Sequence, residues 1–212
     1  MISRLRPRLK IIALLCLFAT AMLAWVVAHG RSPYAFENPA LAWLGPPSAL
    51  RTWADLAELL AAPVVGAVLV VSFAFGLLRR AFFRVAFYTA LAAAALLISE
   101  HVAKPLVQRT YYGELTFPSG SVTAVSGTAL AMWLALYPLL GKRARTIVFG
   151  LGVAWTLLIS AAVVGAHWHT PLDAVGSILL SVGVVCAGAV AFEPIGTRRP
   201  FMNAGRARSG KR

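Results

Sequence analysis

Lys104 and Arg109, the run Pro118-Ser119-Gly120-Ser121, and the cluster His167-Trp168-His169 with Asp173 are the residues whose types and spacing could do chemistry. Two cations can neutralise phosphoryl oxygens. Serine and glycine at a helix start leave backbone amides free to cradle an anion. A histidine with a carboxylate a helical turn further on can act as a nucleophile or a base. Taken together they describe a site for a phosphate ester. Each also has a plainer reading. Glu100 and Lys104 stand at i, i+4 and can simply pair, and Arg109 can contact lipid headgroups. Pro118-Ser119-Gly120 can cap a helix, and Thr170-Pro171-Leu172-Asp173 has the form of a helix start with Asp173 as the acidic member of a capping box. His167 and His169 could ligate a metal, but Asp173 is their one evident carboxylate partner, a thin set. His29 and His101 read as interfacial histidines.

The elements that position these residues are membrane helices. Of the 212 residues, 59% are hydrophobic and 13% charged, with mean hydropathy +0.77, too apolar for a soluble domain. Stretches 11–30, 59–78, 85–99, 146–166 and 174–192 carry no Asp, Glu, Lys or Arg, and a sixth lies mostly within 121–140. A helix crossing the hydrocarbon layer needs about 20 residues; the third stretch reaches that if 100–103 continues its helix. The expected fold is all-α, a six-transmembrane-helix bundle. The net charge of +13 does not point to nucleic acid, because the basic residues cluster at 4–10, 79–84, 142–145 and 198–212. These are alternate connections plus both ends of the chain, so both termini are expected to be cytoplasmic. That orientation puts Lys104, Arg109, Ser119, Ser121, His167, His169 and Asp173 together on the extracytoplasmic side of a cell membrane. Ionisable residues at membrane depth are costly and mark function.

The organisation expected is one six-span membrane domain, 1–197, and a basic cytoplasmic tail, 198–212, whose composition reads as disordered. The first span is taken as a retained anchor rather than a cleaved signal. Cys16 and Cys186 both fall in apolar stretches and indicate no disulfide framework. Residues 31–58 form the longest outer connection, expected to lie at the interface with Trp43 and Trp53 at headgroup level. Pro63 is expected to kink the second helix or occupy its first turn, and Pro105 to end the third. Arginine in excess of lysine and abundant alanine suit a GC-rich bacterial source.

The order of KPLVQR at Lys104 to Arg109, Pro118-Ser119-Gly120, and His169 with Asp173 resembles the type 2 phosphatidic acid phosphatase family of membrane lipid phosphatases. The likeness covers residues 100–176, and the six-span layout extends it. It is the likeness of a divergent member. Tyr111-Tyr112 replace the family's Arg-Pro, Ser121 stands where the second motif keeps a histidine, and Ala162-Val163 replace the third motif's Ser-Arg. The resemblance implies that His169 attacks phosphorus to form a phosphohistidine and that Asp173 accepts its Nδ1–H. It further implies that Lys104 and Arg109, with Ser119, Gly120 and Ser121 at the helix start, hold the phosphoryl group. No metal or cofactor is implied. Ser121 cannot protonate a leaving alkoxide as the histidine would; His167 is a candidate substitute acid if its turn is irregular. A pyrophosphate substrate, with a better leaving group, tolerates that loss more readily than a monoester. The implied partners are membrane lipids and a lipid phosphate or lipid pyrophosphate substrate, of a phospholipid or a polyprenyl lipid. The alternative is a catalytically degenerate member that binds headgroups or serves as a scaffold. A small transporter fits less well, since no paired broken helices or internal repeat are visible.

Overall fold

Backbone polar groups cannot go unpaired in hydrocarbon, so an apolar chain of this kind closes its hydrogen bonds within helices. The computed structural model describes residues 5–30, 34–43, 51–111 and 113–192. In it α1 (Arg6–Ala28), α2 (Asn38–Trp43), α3 (Arg51–Leu78) and α4 (Phe82–Ile98) are followed by a π-helical turn, Ser99–Ala103, and α5 (Lys104–Val107). A hairpin of β1 (Thr110–Tyr111) and β2 (Glu114–Leu115) leads to α6 (Gly120–Leu136), α7 (Lys142–Gly165) and α8 (Pro171–Phe192). Among the described residues six helices are long and apolar enough to cross a membrane. The protein is an all-α six-span bundle.

α6 and α8 form its centre, each with 56% of its most apolar stretch buried, against 17% for α1 and for α3. Small residues let the helices approach closely, as packing between apolar helices in lipid requires. A Cβ on Gly127 of α6 would lie 3.7 Å from the Ala92 backbone of α4, and Ser126 and Ser181 hydrogen-bond between α6 and α8 at 2.6 Å. One apolar core, including Tyr88, Leu134 and Val185, fills the bundle toward the basic end. There Arg84 donates to the carbonyls of Ala135 and Leu134, both at 2.9 Å, and Arg6 to that of Val190 at 2.8 Å. Cations on the carbonyls at a helix C-terminus satisfy orphan acceptors and suit the helix dipole. A second core, with Leu41, Val122, Ile159 and Val163, lies toward the other end.

The structure sharpens both proline expectations. The third span ends near Pro105 as expected, but just beyond it: it runs from Phe82 to Val107 as 26 residues. The π turn is the reason, because its wider winding absorbs the proline's missing N–H and bulky ring; Lys104 N–H reaches back to the Ser99 carbonyl. Of the two places expected for Pro63 the structure takes the helix interior and not the first turn, since α3 begins at Arg51. Trp53 accordingly belongs to α3, where its ring lies against Gly165 of α7. The expected tail at 198–212 and residues 44–50 of the outer connection lie outside the described residues.

Candidate active site

The segment after the third span is held to the bundle by its own hydrogen bonds. Gln108 takes a left-handed backbone, φ 52°, and ends α5. The two short strands pair Thr110 with Leu115 and Tyr111 with Glu114, with Gly113 at φ 86° in the turn. The ladder continues through Thr116 N–H to the Arg109 carbonyl at 3.0 Å. That pairing fixes Arg109 and Thr116 side by side, and both reach the start of α8.

Arg109 is buried, and it does not face an open phosphate gap. Its Nη2 donates to Glu37 Oε2 at 2.7 Å, and its Nη1 to Asp173 Oδ1 at 2.9 Å and Thr170 Oγ1 at 3.0 Å. All three charged side chains are 1% exposed or less. Glu37 comes from the turn before α2. It also accepts the Tyr34 N–H at 2.8 Å and the Leu172 N–H at 3.2 Å. One guanidinium between two carboxylates leaves this buried cluster with net charge −1. A buried guanidinium needs paired anions, and its planar fork suits two at once.

Asp173 makes the capping box expected from sequence. The Thr170 N–H donates to Oδ2 at 2.8 Å, and the Asp173 N–H lies 3.4 Å from Thr170 Oγ1. Arg109 takes the other oxygen, and Asp173 faces the His169 ring at ion-pair range rather than as its hydrogen-bond acceptor. His169 Nδ1 lies 3.8 Å from Asp173 Oδ2 but 3.0 Å from the Thr116 carbonyl. A carbonyl only accepts, so Nδ1 carries the proton and Nε2 keeps its lone pair in the neutral ring.

The turn into α8 is irregular. His167 has φ 55°, and the N–H groups of Trp168 and His169 both point to the Val163 carbonyl, at 3.1 and 3.3 Å. The two histidines consequently diverge. His167 Nδ1 lies 3.4 Å from the Tyr111 hydroxyl, while His169 turns to Thr116.

Ser119 is the N-cap of α6, with its Oγ 3.5 Å from the Val122 N–H. Its own N–H donates to Ser177 Oγ at 2.7 Å, and that hydroxyl donates to the Asp173 carbonyl at 2.6 Å. The Ser119 amide is therefore turned to α8, and the amides of Gly120 and Ser121 begin the helix beyond it. The Phe117 ring packs so tightly on Gly176 that no Cβ would fit there. These contacts tie the Pro-Ser-Gly run to the helix bearing Asp173, one turn from His169. Across from them, Lys104 pairs with Glu100 at 2.8 Å, and the Glu100 carboxylate sits against Gly120, where a Cβ would strike it.

Lys104, Ser119, Gly120, His169 and Asp173 thus gather at one end of the bundle around the starts of α6 and α8, with Arg109 buried beneath. Ser121 follows on the first turn of α6. Sequence reasoning did not identify Glu37 as Arg109's partner. The available signal was scarcity: the chain has only 7 acidic residues, and a buried arginine needs one near it.

No protein-family description matches the chain, and no curated protein matches it. Among solved structures it is similar to the crystal structure of a transmembrane PAP2-type phosphatidylglycerolphosphate phosphatase from Bacillus subtilis. The TM-score is 0.71 over 88% of this chain and 98% of that one, at 15% identity. The likeness is one of fold: this chain's six-helix bundle follows the course of that transmembrane protein.

Proposed function

We propose that the chain is an integral membrane phosphohydrolase that cleaves a phosphate or pyrophosphate ester of a phospholipid or polyprenyl lipid. It acts on the extracytoplasmic side through a phosphohistidine on His169. The observation that carries this reading is the His169 ring, whose Nδ1 is held by the Thr116 carbonyl at 3.0 Å, leaving Nε2 available to attack. The buried cluster of net charge −1 lies beside it, with Asp173 Oδ2 at 3.8 Å, and favours the positive charge that the ring gains on bonding to phosphorus. Lys104 and the α6 amides of Gly120 and Ser121 supply donors for the phosphoryl oxygens. Nε2 bonds to phosphorus as the bond to the leaving oxygen breaks, and water then cleaves the N–P bond. A lipid acceptor in place of water would make the same site a phosphotransferase. The basic end of the bundle, where Arg6 and Arg84 cap helix C-termini, supports a cytoplasmic placement for both termini and an outward-facing site.

The test is phosphate release in the presence of a chelator from phosphatidate, phosphatidylglycerol phosphate and polyprenyl mono- and diphosphates, comparing native protein with His169→Ala. Native turnover at least tenfold above the variant is expected. Equal background release from both would sink the proposal. A second reading, headgroup binding without turnover, is favoured by one observation: Arg109 is buried between Glu37 and Asp173, which leaves Lys104, paired with the half-buried Glu100, as the cation at the cradle among the described residues. It predicts binding of anionic lipid that depends on Lys104 and not on His169.

A further inference from the structure

The start of α6 is where a phosphoryl group would rest, and a carboxylate already stands there. Glu100 Oε1 lies against Gly120, closer than a Cβ at that position would allow. That oxygen is buried and accepts no hydrogen bond among the described residues, while Oε2 takes the Lys104 ammonium at 2.8 Å. The placement is built by the π turn Ser99–Ala103, which carries Glu100 on the face toward α6. One residue earlier, Ser99 Oγ lies 3.5 Å from Thr123 Oγ1 on the next turn of α6. π turns of this kind recur at functional sites. Ser121 has only an alcohol, and the His167 ring is turned to Tyr111.

We propose that Glu100 is the proton donor to the leaving oxygen. The inference rests on the phosphohydrolase reading above. An anionic phosphoryl group entering the cradle meets the Glu100 carboxylate, and two like charges at such range cannot both stay ionised. The carboxylate takes a proton from solvent, and Lys104 turns from it to the more highly charged phosphoryl oxygens. As His169 Nε2 bonds to phosphorus and the P–O bond breaks, the carboxylic proton passes to the departing oxygen. Glu100, again a carboxylate, then removes a proton from the water whose oxygen attacks phosphorus. The N–P bond breaks, and phosphate and neutral His169 result. Glycine at position 120 is what admits the carboxyl group to this place.

The experiment compares leaving groups, because a proton donor matters for an alkoxide and little for a stabilised aryl oxide. Native protein, Glu100→Gln, His169→Ala and Glu100→Gln/Ser121→His are assayed on a water-dispersible alkyl lipid phosphate and on 4-nitrophenyl phosphate. Glu100→Gln is expected to slow the alkyl ester by about 10²–10⁴-fold and the aryl ester far less, with partial recovery of the alkyl ester when Ser121→His is added. An equal loss on both esters would overturn the proposal in favour of a positioning role. Alkyl turnover as fast as native, or faster, would overturn it in favour of a carboxylate that merely occupies the cradle. Native protein no more active than His169→Ala on either ester removes the phosphohydrolase reading itself, a different failure from the loss of Glu100's role.

Discussion

Glu37→Ala puts the buried ion cluster to a direct test. The Glu37 carboxylate is 1% exposed and accepts from Arg109 at 2.7 Å, Tyr34 N–H at 2.8 Å and Leu172 N–H at 3.2 Å. Truncating it strands one nitrogen of a buried guanidinium and two backbone donors. Removing one member of a buried ion pair costs about 3–5 kcal/mol, because the other charge is left without compensation. Asp173 still holds Nη1 at 2.9 Å, which keeps the expectation within that range. For a chain of this length about 2–4 °C of melting temperature correspond to each kcal/mol, so Tm should fall by about 6–20 °C. Glu37→Gln keeps an acceptor but loses the charge, and a charge-assisted bond is roughly twice as strong as a neutral one; its loss should be about 1–2 kcal/mol. The assay is thermal unfolding in one fixed detergent by far-ultraviolet circular dichroism, with exposed Glu114→Ala as control. In an Arg109→Met background, Glu37→Ala should cost far less than in the native chain. A Glu37→Ala shift no larger than the control's, or strict additivity with Arg109→Met, would refute the account.

Other expectations follow from the way α6 is tied to α8. Ser177→Ala leaves the buried Ser119 N–H without its acceptor and should cost about 1–3 kcal/mol, whereas Ser119→Ala removes only a long capping bond and should cost about 0.5–1 kcal/mol; the same melting assay ranks them. Gly176→Ala forces a Cβ into the Phe117 ring and should cost about 1–3 kcal/mol by overpacking. It should also lower phosphate release, if the cradle works as proposed, by shifting Ser119 and Gly120. Arg109→Lys should not rescue stability, since an ammonium cannot fork to Glu37 and Asp173 as a guanidinium does. A native-like melting temperature in that variant would contradict the geometry.

Spans, their number and the gathering of the polar residues at one end were legible because they depend on composition and on order along the chain. An uncharged apolar run must be a helix in lipid, and basic loops mark its ends whatever the helices pack against. The Thr170–Asp173 capping box and the Glu100–Lys104 pair were legible for a related reason: both are local, within one turn. The run of helix through Pro105 was not, because the π turn that accommodates it is a backbone choice that α4, α5 and α6 settle by packing. Nor could sequence assign Arg109. A charge's partner is whichever opposite charge the fold brings within reach, and Glu37 arrives from 72 residues away. The same holds for His169, whose ring is oriented by a carbonyl, a group every residue owns and no sequence pattern singles out. Sequence by itself determined the spans and which polar residues fall in the connections at this end of the bundle. Tertiary structure decided that Arg109 is buried between Glu37 and Asp173, that Thr116 holds the histidine, and that the carboxylate at the mouth of α6 is Glu100. The physical reason is that hydrogen bonding and burial at these groups are set by contacts between elements far apart in the chain.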